Sequence, residues 1–184
     1  AIIGFLPGGL NVQIVDGHHG GPELGSVPDY QRMKQFAHAA NQAYAQVGPD
    51  DDIVINVESD LTWDVTSMWK LIHRLSDQTV DVVAPMVFCG ARFYDTFSHR
   101  MPGDGPFAFT YHLPYHERLD SLTLNEMDSV GSCLVMRGNV ARSARIRNDQ
   151  ALIGWCEDAR CLGYRIAVAP GLRVGRVQAN VNET

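Results

Sequence analysis

Two carboxylates one residue apart, Glu58 and Asp60, follow the run Ile53-Val-Ile-Asn-Val57. That run is β-branched and almost continuously apolar, which predicts a central parallel strand. Acids at such a strand end can converge on one divalent cation and on the sugar or phosphate beside it. Mg2+ and Mn2+ take oxygen ligands and share their coordination shell with substrate phosphates. The spacing alone also allows a simpler role, a turn in which Asp60 caps the helix that follows. Asp16 ends a shorter strand, Val12–Val15, in the same way. Asp149 precedes another predicted helix, where its carboxylate can point into a cleft or cap the helix. Glu157 and Asp158 fall inside that helix and read as its solvated face.

The remaining polar groups point less sharply. His18 and His19 lie in a glycine-rich turn, and His99, His112 and His116 in a long loop. None has a partner at metal-ligand spacing, so polar loop roles come first. Cys89, Cys133, Cys156 and Cys161 form no CxxC pair and read as buried free thiols. Arg137, Arg142, Arg145 and Arg147 cluster along the sequence; a solvated surface is favoured over a phosphate-binding face.

These groups must be positioned by alternating strands and helices. A helix is expected from Pro28 to Val47, where Met33, Phe36, Ala40, Tyr44 and Val47 recur every three or four residues. A second, Val65 to Ser76, carries Met68, Trp69, Leu71, Ile72 and Leu75. Strands follow at Val80–Val87 and Ser132–Arg137. A helix from Gln150 to Leu162 is closed by Gly163, and a last strand runs from Ile166 to Ala169 before Pro170. The stretch from Gly90 to Asp128 reads as loop, and loops of that length in a compact domain are usually functional. Trp69 and Trp155 sit at core spacing. The pattern is α/β, and in such sheets ligands bind beyond the carboxyl ends of the strands.

With 184 residues the chain makes one domain, 1–184, with 45% hydrophobic and 20% charged residues. The net charge of −6, from 15 Lys and Arg against 21 Asp and Glu, disfavours nucleic acid as the main partner. No apolar run approaches the ~20 residues of a membrane span, and no secretory leader is visible, so a cytoplasmic protein is expected.

The order of short motifs resembles glycosyltransferases of the GT-A fold. Val12-Gln-Ile-Val-Asp-Gly17 is similar to their second strand, and Ala37-His-Ala-Ala-Asn-Gln-Ala43 to their "ARN-x-A" helix. Asp52-Ile-Val-Ile-Asn-Val-Glu-Ser-Asp-Leu61 is similar to the strand ending in D-x-D. Asp81-Val-Val-Ala-Pro85, Phe93-Tyr-Asp-Thr-Phe97, Ser129-Val-Gly-Ser132 and Gly163-Tyr164 continue in the family's order. The set most resembles the Anp1-like mannosyltransferases and their bacterial and phage relatives. The departures are Glu58 in place of the first Asp, Ala40 in place of Arg, and no metal-binding His in Val174-Gly-Arg-Val-Gln178. The family's first strand is barely represented before Val12.

The resemblance implies a Rossmann-like mixed sheet flanked by helices and transfer of a sugar from a nucleotide-diphosphate sugar to a glycan or other hydroxyl acceptor. Mn2+ or Mg2+ would be held by Asp60 and Glu58. Asp16 and Asn41 would join them around the donor, Tyr94 and Asp95 would face the acceptor, and Asp149 is the nearest candidate for a catalytic base. Three other functions fit the same residues: a non-catalytic domain binding sugar nucleotides or glycans, a nucleotidyltransferase, and a glycosyltransferase acting on modified DNA bases. Donor sugar, stereochemical outcome and oligomeric state are left open by the sequence.

Overall fold

Local patterns account for most of the elements in the computed structural model, which describes residues 30–50, 52–58, 60–77, 80–95, 98–103, 119–120 and 122–177. Helix α1 spans Tyr30–Tyr44, followed by strands β1 (Ile53–Val57) and β2 (Leu61–Thr62), and helix α2 (Val65–Asp77). Strands β3 (Val82–Cys89), β4 (Arg92–Phe93), β5 (Asn125–Glu126) and β6 (Cys133–Arg137) come next. Helices α3 (Gly138–Ser143) and α4 (Ala151–Cys161) and strand β7 (Ile166–Arg176) complete the order. The expected strand Val12–Val15, Asp16, the His18-His19 turn, His112 and His116 lie outside the described residues.

The strands form a mixed sheet in the order β1-β6-β3-β7-β2, with β4 added to β3 and β5 to β7. β6 is antiparallel to both β1 and β3, whereas β3 and β7 are parallel. Strands β1, β3 and β7 therefore run the same way and end at the same edge. The expectation of a central parallel strand at Ile53–Val57 is corrected on two counts. β1 pairs antiparallel with β6, and it stands at the end of the order among the described strands. Its apolar run covers a half-buried position rather than a sandwiched one.

Side chains alternate across the sheet and define two apolar layers, as a period of two requires. Val82, Ala84, Met86, Leu134 and Met136 face α1, α3 and α4, where Trp155 and Tyr44 pack with ring centroids 6.4 Å apart. Val83, Val87, Cys133 and Val135 face α2 and its Met68, Leu71 and Leu75. The two tryptophans at core spacing are packing residues: Trp155 is fully buried and Trp69 lies against the α2 layer.

Two helix ends settle questions that spacing leaves open. Asp64 starts α2: the Ser67 backbone N–H donates to its Oδ1 at 2.8 Å and the Ser67 hydroxyl to its Oδ2 at 2.7 Å. The helix cap is thus Asp64 and not Asp60. At the other end of the chain, Gly163 takes φ +90 and closes α4, with its N–H on Arg160 O and the Tyr164 N–H on Ala159 O. That is the glycine-terminated helix end the sequence predicts.

Several elements go beyond the sequence reading: the stretch read as loop from Gly90 to Asp128 contains the short strands β4 and β5, and β2 is a further short strand. α3 follows β6 without a break, and β7 continues through Pro170 to Arg176 rather than stopping at Ala169. The continuation needs a bulge. Pro85 pairs with Ala169 but Met86 pairs with Arg173, so Pro170–Leu172 are looped out and the missing proline N–H interrupts no ladder.

The clustered arginines have separate duties. Arg137 donates to Leu75 O and Val80 O and pairs with Asp81, and Arg142 donates to Gly48 O. Arg147 meets Asp149, Glu157 and Asp158. Three members of the sequence cluster therefore hold the fold together instead of forming one phosphate-binding face. All four cysteines are free; Cys133 and Cys156 are buried, while Cys89 is partly exposed and Cys161 exposed, which corrects the expectation of uniform burial. Among the described residues no helix is long and apolar enough to cross a membrane.

Candidate functional site

The edge where β1, β3 and β7 end collects the ionisable groups. Glu58 directly follows β1, and its backbone N–H donates to Ser132 O at 3.1 Å. Asp60 lies in the turn before β2 and accepts the Val177 N–H on its carbonyl at 2.9 Å, just past the end of β7. Both side chains converge on Arg176, the last residue of β7. Arg176 Nη1 reaches Glu58 Oε2 at 3.1 Å, and Nη2 pairs with Asp60 Oδ2. The guanidinium also stacks over the Tyr94 ring, 4.0 Å from its centroid.

Behind this surface lies a third carboxylate, Asp95, which is fully buried. The Ser132 hydroxyl donates to Asp95 Oδ1 at 2.5 Å, while Asp95 Oδ2 is buried without a hydrogen-bond partner. Ser132 therefore serves both acids: its carbonyl fixes the Glu58 backbone and its hydroxyl fixes Asp95. It does so at φ +58, a left-handed conformation that costs a serine free energy and is typical of functional or tightly constrained sites. The preceding Gly131 has no room for a side chain, since an added Cβ would lie 2.7 Å from Ser98 Cβ and closer still to Ser98 Oγ. Gly131→Ala should cost about 1–3 kcal/mol, read as a shift of the urea midpoint, because Ser98 and the Asp95 turn would have to move.

Burial governs the electrostatics. It pushes the Glu58 carboxyl above its ordinary range, the Arg176 charge opposing and the Asp60 charge adding to the rise. The charge of Arg32, in the first turn of α1, also lowers it. Burial pushes Asp95 up to about 7, with the Ser132 hydrogen bond opposing and the Glu58 charge adding. His99, one helical turn along from Asp95, is held down to about 4 by burial. The Cys133 thiol is pushed up to about 12 for the same reason, so it is no nucleophile at neutral pH.

The expected site residues separate into two groups. Glu58, Asp60, Tyr94 and Asp95 are brought together, although Asp95 lies beneath the surface and touches Ser132. Asn41 is in the last turn of α1, at the opposite edge. Its Nδ2 donates to Ile146 O at 2.8 Å and its Oδ1 accepts the Ile146 N–H at 2.9 Å, so its amide ties α1 to the segment after α3. Asp149 stands just before α4, ion-paired with Arg147 rather than with any residue of the acidic pair. Gln150, not Asp149, is the helix N-cap residue. The Asp149 carboxylate is exposed and held below its ordinary range by its hydrogen bond from Arg147. A lowered pKa weakens it as a proton acceptor.

Arg176, Ser132 and Arg32 are the site residues the sequence analysis did not single out. For Arg176 there was a signal: its segment is the one compared with the family's metal-binding His, and it holds an arginine two positions past Val174.

A divalent cation fits the oxygen donors present here. Asp60 Oδ1 is buried and makes no hydrogen bond, so it is available to a ligand. Among the described residues no group of three His, Cys, Asp or Glu side chains is arranged to hold a metal. A cation at Glu58 and Asp60 would therefore take its remaining ligands from phosphate oxygens and water, as Mg2+ sites on one or two carboxylates do. No protein-family model matches the chain, and no curated protein matches it.

Proposed function

We propose that the chain is a glycosyltransferase of the GT-A kind, moving a sugar from a nucleotide-diphosphate sugar to a hydroxyl acceptor with the help of Mn2+ or Mg2+. One observation carries this reading. Glu58 and Asp60 leave the end of a sheet strand and converge on a single positive charge, at the edge where three strands of the same direction end. Asp64 caps α2, so Asp60 is free of that structural duty.

In this proposal Asp60 and Glu58 hold the cation, which when bound neutralises the charge building on the leaving diphosphate. Arg176 and Arg32 add positive charge on the same side. Tyr94 offers an aromatic face beside the pair, and Ser132 keeps Glu58 in place through the strained backbone it sustains. Asp16 remains the candidate for the nucleoside. Asp149 remains the sequence candidate for a base, and Arg147 would have to release it before it could take an acceptor proton.

Melting curves with UDP, GDP and their sugars, with and without Mn2+, test the proposal on the wild type and Asp60→Ala. A ligand at 100 times its dissociation constant should stabilise the wild type by roughly 2.7 kcal/mol, and Asp60→Ala should lose the metal-dependent part. No shift with any nucleotide would sink the donor site. A second reading, a non-catalytic domain that binds sugar nucleotides or glycans, is favoured by Arg176 already neutralising the acidic pair. Nucleotide stabilisation without release of sugar in an hours-long incubation would select it.

A further inference from the structure

We propose that Arg176 is an exchangeable counter-ion, which holds Glu58 and Asp60 and has to leave Asp60 before a divalent cation can bind. The inference rests on Glu58 and Asp60 being the cation ligands. Its consequence is that cation and nucleoside diphosphate bind cooperatively.

The geometry sets up a competition. The Arg176 guanidinium lies between the two carboxylates, with one nitrogen on each, which is the position where a cation using both acids would sit. Two positive charges cannot occupy it together. The arginine side chain is only 14% exposed, so water cannot fully replace its two ion pairs once a metal takes them. A metal arriving alone would strand a largely buried guanidinium, and its affinity falls by that cost. The Tyr94 face then matters, because it keeps the guanidinium at the site after its carboxylates are lost.

A diphosphate removes the penalty. Its oxygens accept the planar, forked guanidinium in the same bidentate way as a carboxylate does. Arg176 can then pass from the acids to the phosphate while the cation takes its place, and every charge stays paired. Coupling between two ligands of this kind is typically 5–150-fold.

Mn2+ binding is measured by the EPR signal of the free ion, on the wild type, Arg176→Gln and Arg176→Lys, with and without the nucleoside diphosphate that stabilises the wild type. Mn2+ alone should bind Arg176→Gln at least about tenfold more tightly than the wild type, and Arg176→Lys should stay near the wild type. The nucleotide should raise the Mn2+ affinity of the wild type by about fivefold or more and that of Arg176→Gln by much less. Mn2+ alone binding Arg176→Gln no more tightly than the wild type overturns the exchange. Should circular dichroism show Arg176→Gln unfolded, the Arg176 Nε–H resonance of the wild type decides the matter. It should move when Mg2+ and the nucleotide are added together, and an unmoved resonance overturns the proposal. If no form binds Mn2+ but nucleotide still stabilises the protein in EDTA, the exchange is wrong and donor binding stands. If nucleotide binding is absent as well, the proposed function itself fails.

Discussion

Replacing Asp95 by asparagine should make the folded protein lose about 3 kcal/mol of stability between pH 6.5 and pH 4, a window in which Asp95 and His99 together leave the wild type almost level. The reason is a pair of opposed burials. Asp95 rises from 3.8 to about 7 on folding, so between those values the native state carries a proton that the unfolded chain has released. Stability from this group is therefore greatest at low pH and is lost as pH rises towards 7. His99 falls from 6.5 to about 4, so in that window the unfolded chain binds the proton and the native state does not. Stability from His99 is lost as pH falls. Over pH 4 to 6.5 the two slopes have equal size and opposite sign, one proton each.

Asp95→Asn keeps the hydrogen-bond acceptor for Ser132 and removes only the titration, leaving the His99 slope exposed. His99→Leu should do the reverse and make stability fall with rising pH. The difference between Asp95→Asn and the wild type should grow by about 4 kcal/mol from pH 4 to pH 8, in favour of the variant. Urea unfolding at several pH values measures it. Parallel curves for the two proteins across that range would show that the Asp95 carboxyl is not held protonated by burial.

The second large effect belongs to the core. Trp155 is fully buried between the sheet and α1, against Tyr44, Leu134 and Met136. Trp155→Ala should cost about 3–5 kcal/mol, since the surrounding strands and helices cannot close on a cavity of that size. In a chain of this length each kcal/mol lowers the melting temperature by roughly 2–4 °C. Trp69→Ala should cost much less, because Trp69 is only partly buried at the rim of the α2 layer. Equal losses for the two variants would contradict the layer assignment. Neither position touches the acidic pair, so any change in nucleotide stabilisation should follow stability alone.

Both outcomes bear on how much of this protein can be read without its tertiary structure. The periodic spacing of Met68, Leu71 and Leu75 and the β-branched run before Glu58 predict α2 and β1, because a helix or strand that must bury one face has to repeat its apolar residues at 3.6 or 2.0. Gly163 marks the end of α4 because few other residues take its φ. The placement of two acids at a strand end is likewise local, and so it is legible.

What the acids meet is not local. Glu58 and Arg176 are 118 residues apart, and only the register of β7 beside β3, shifted by the bulge at Pro170, brings that arginine to the pair. Proline and glycine at 170 and 171 predict a strand end from sequence, whereas the neighbouring strand supplies enough pairing to carry β7 past them. The identity of the α2 cap depended on which of two nearby aspartates the Ser67 N–H could reach. The state of Asp95 depended on burial, which no neighbouring residue type encodes. Sequence by itself determined the elements and the acidic strand end, since those follow from short-range periodicity and backbone preference. Tertiary structure alone decided the counter-ion, the buried acid and the duties of the arginines, since charge pairing and desolvation depend on which distant residues come within a few ångströms.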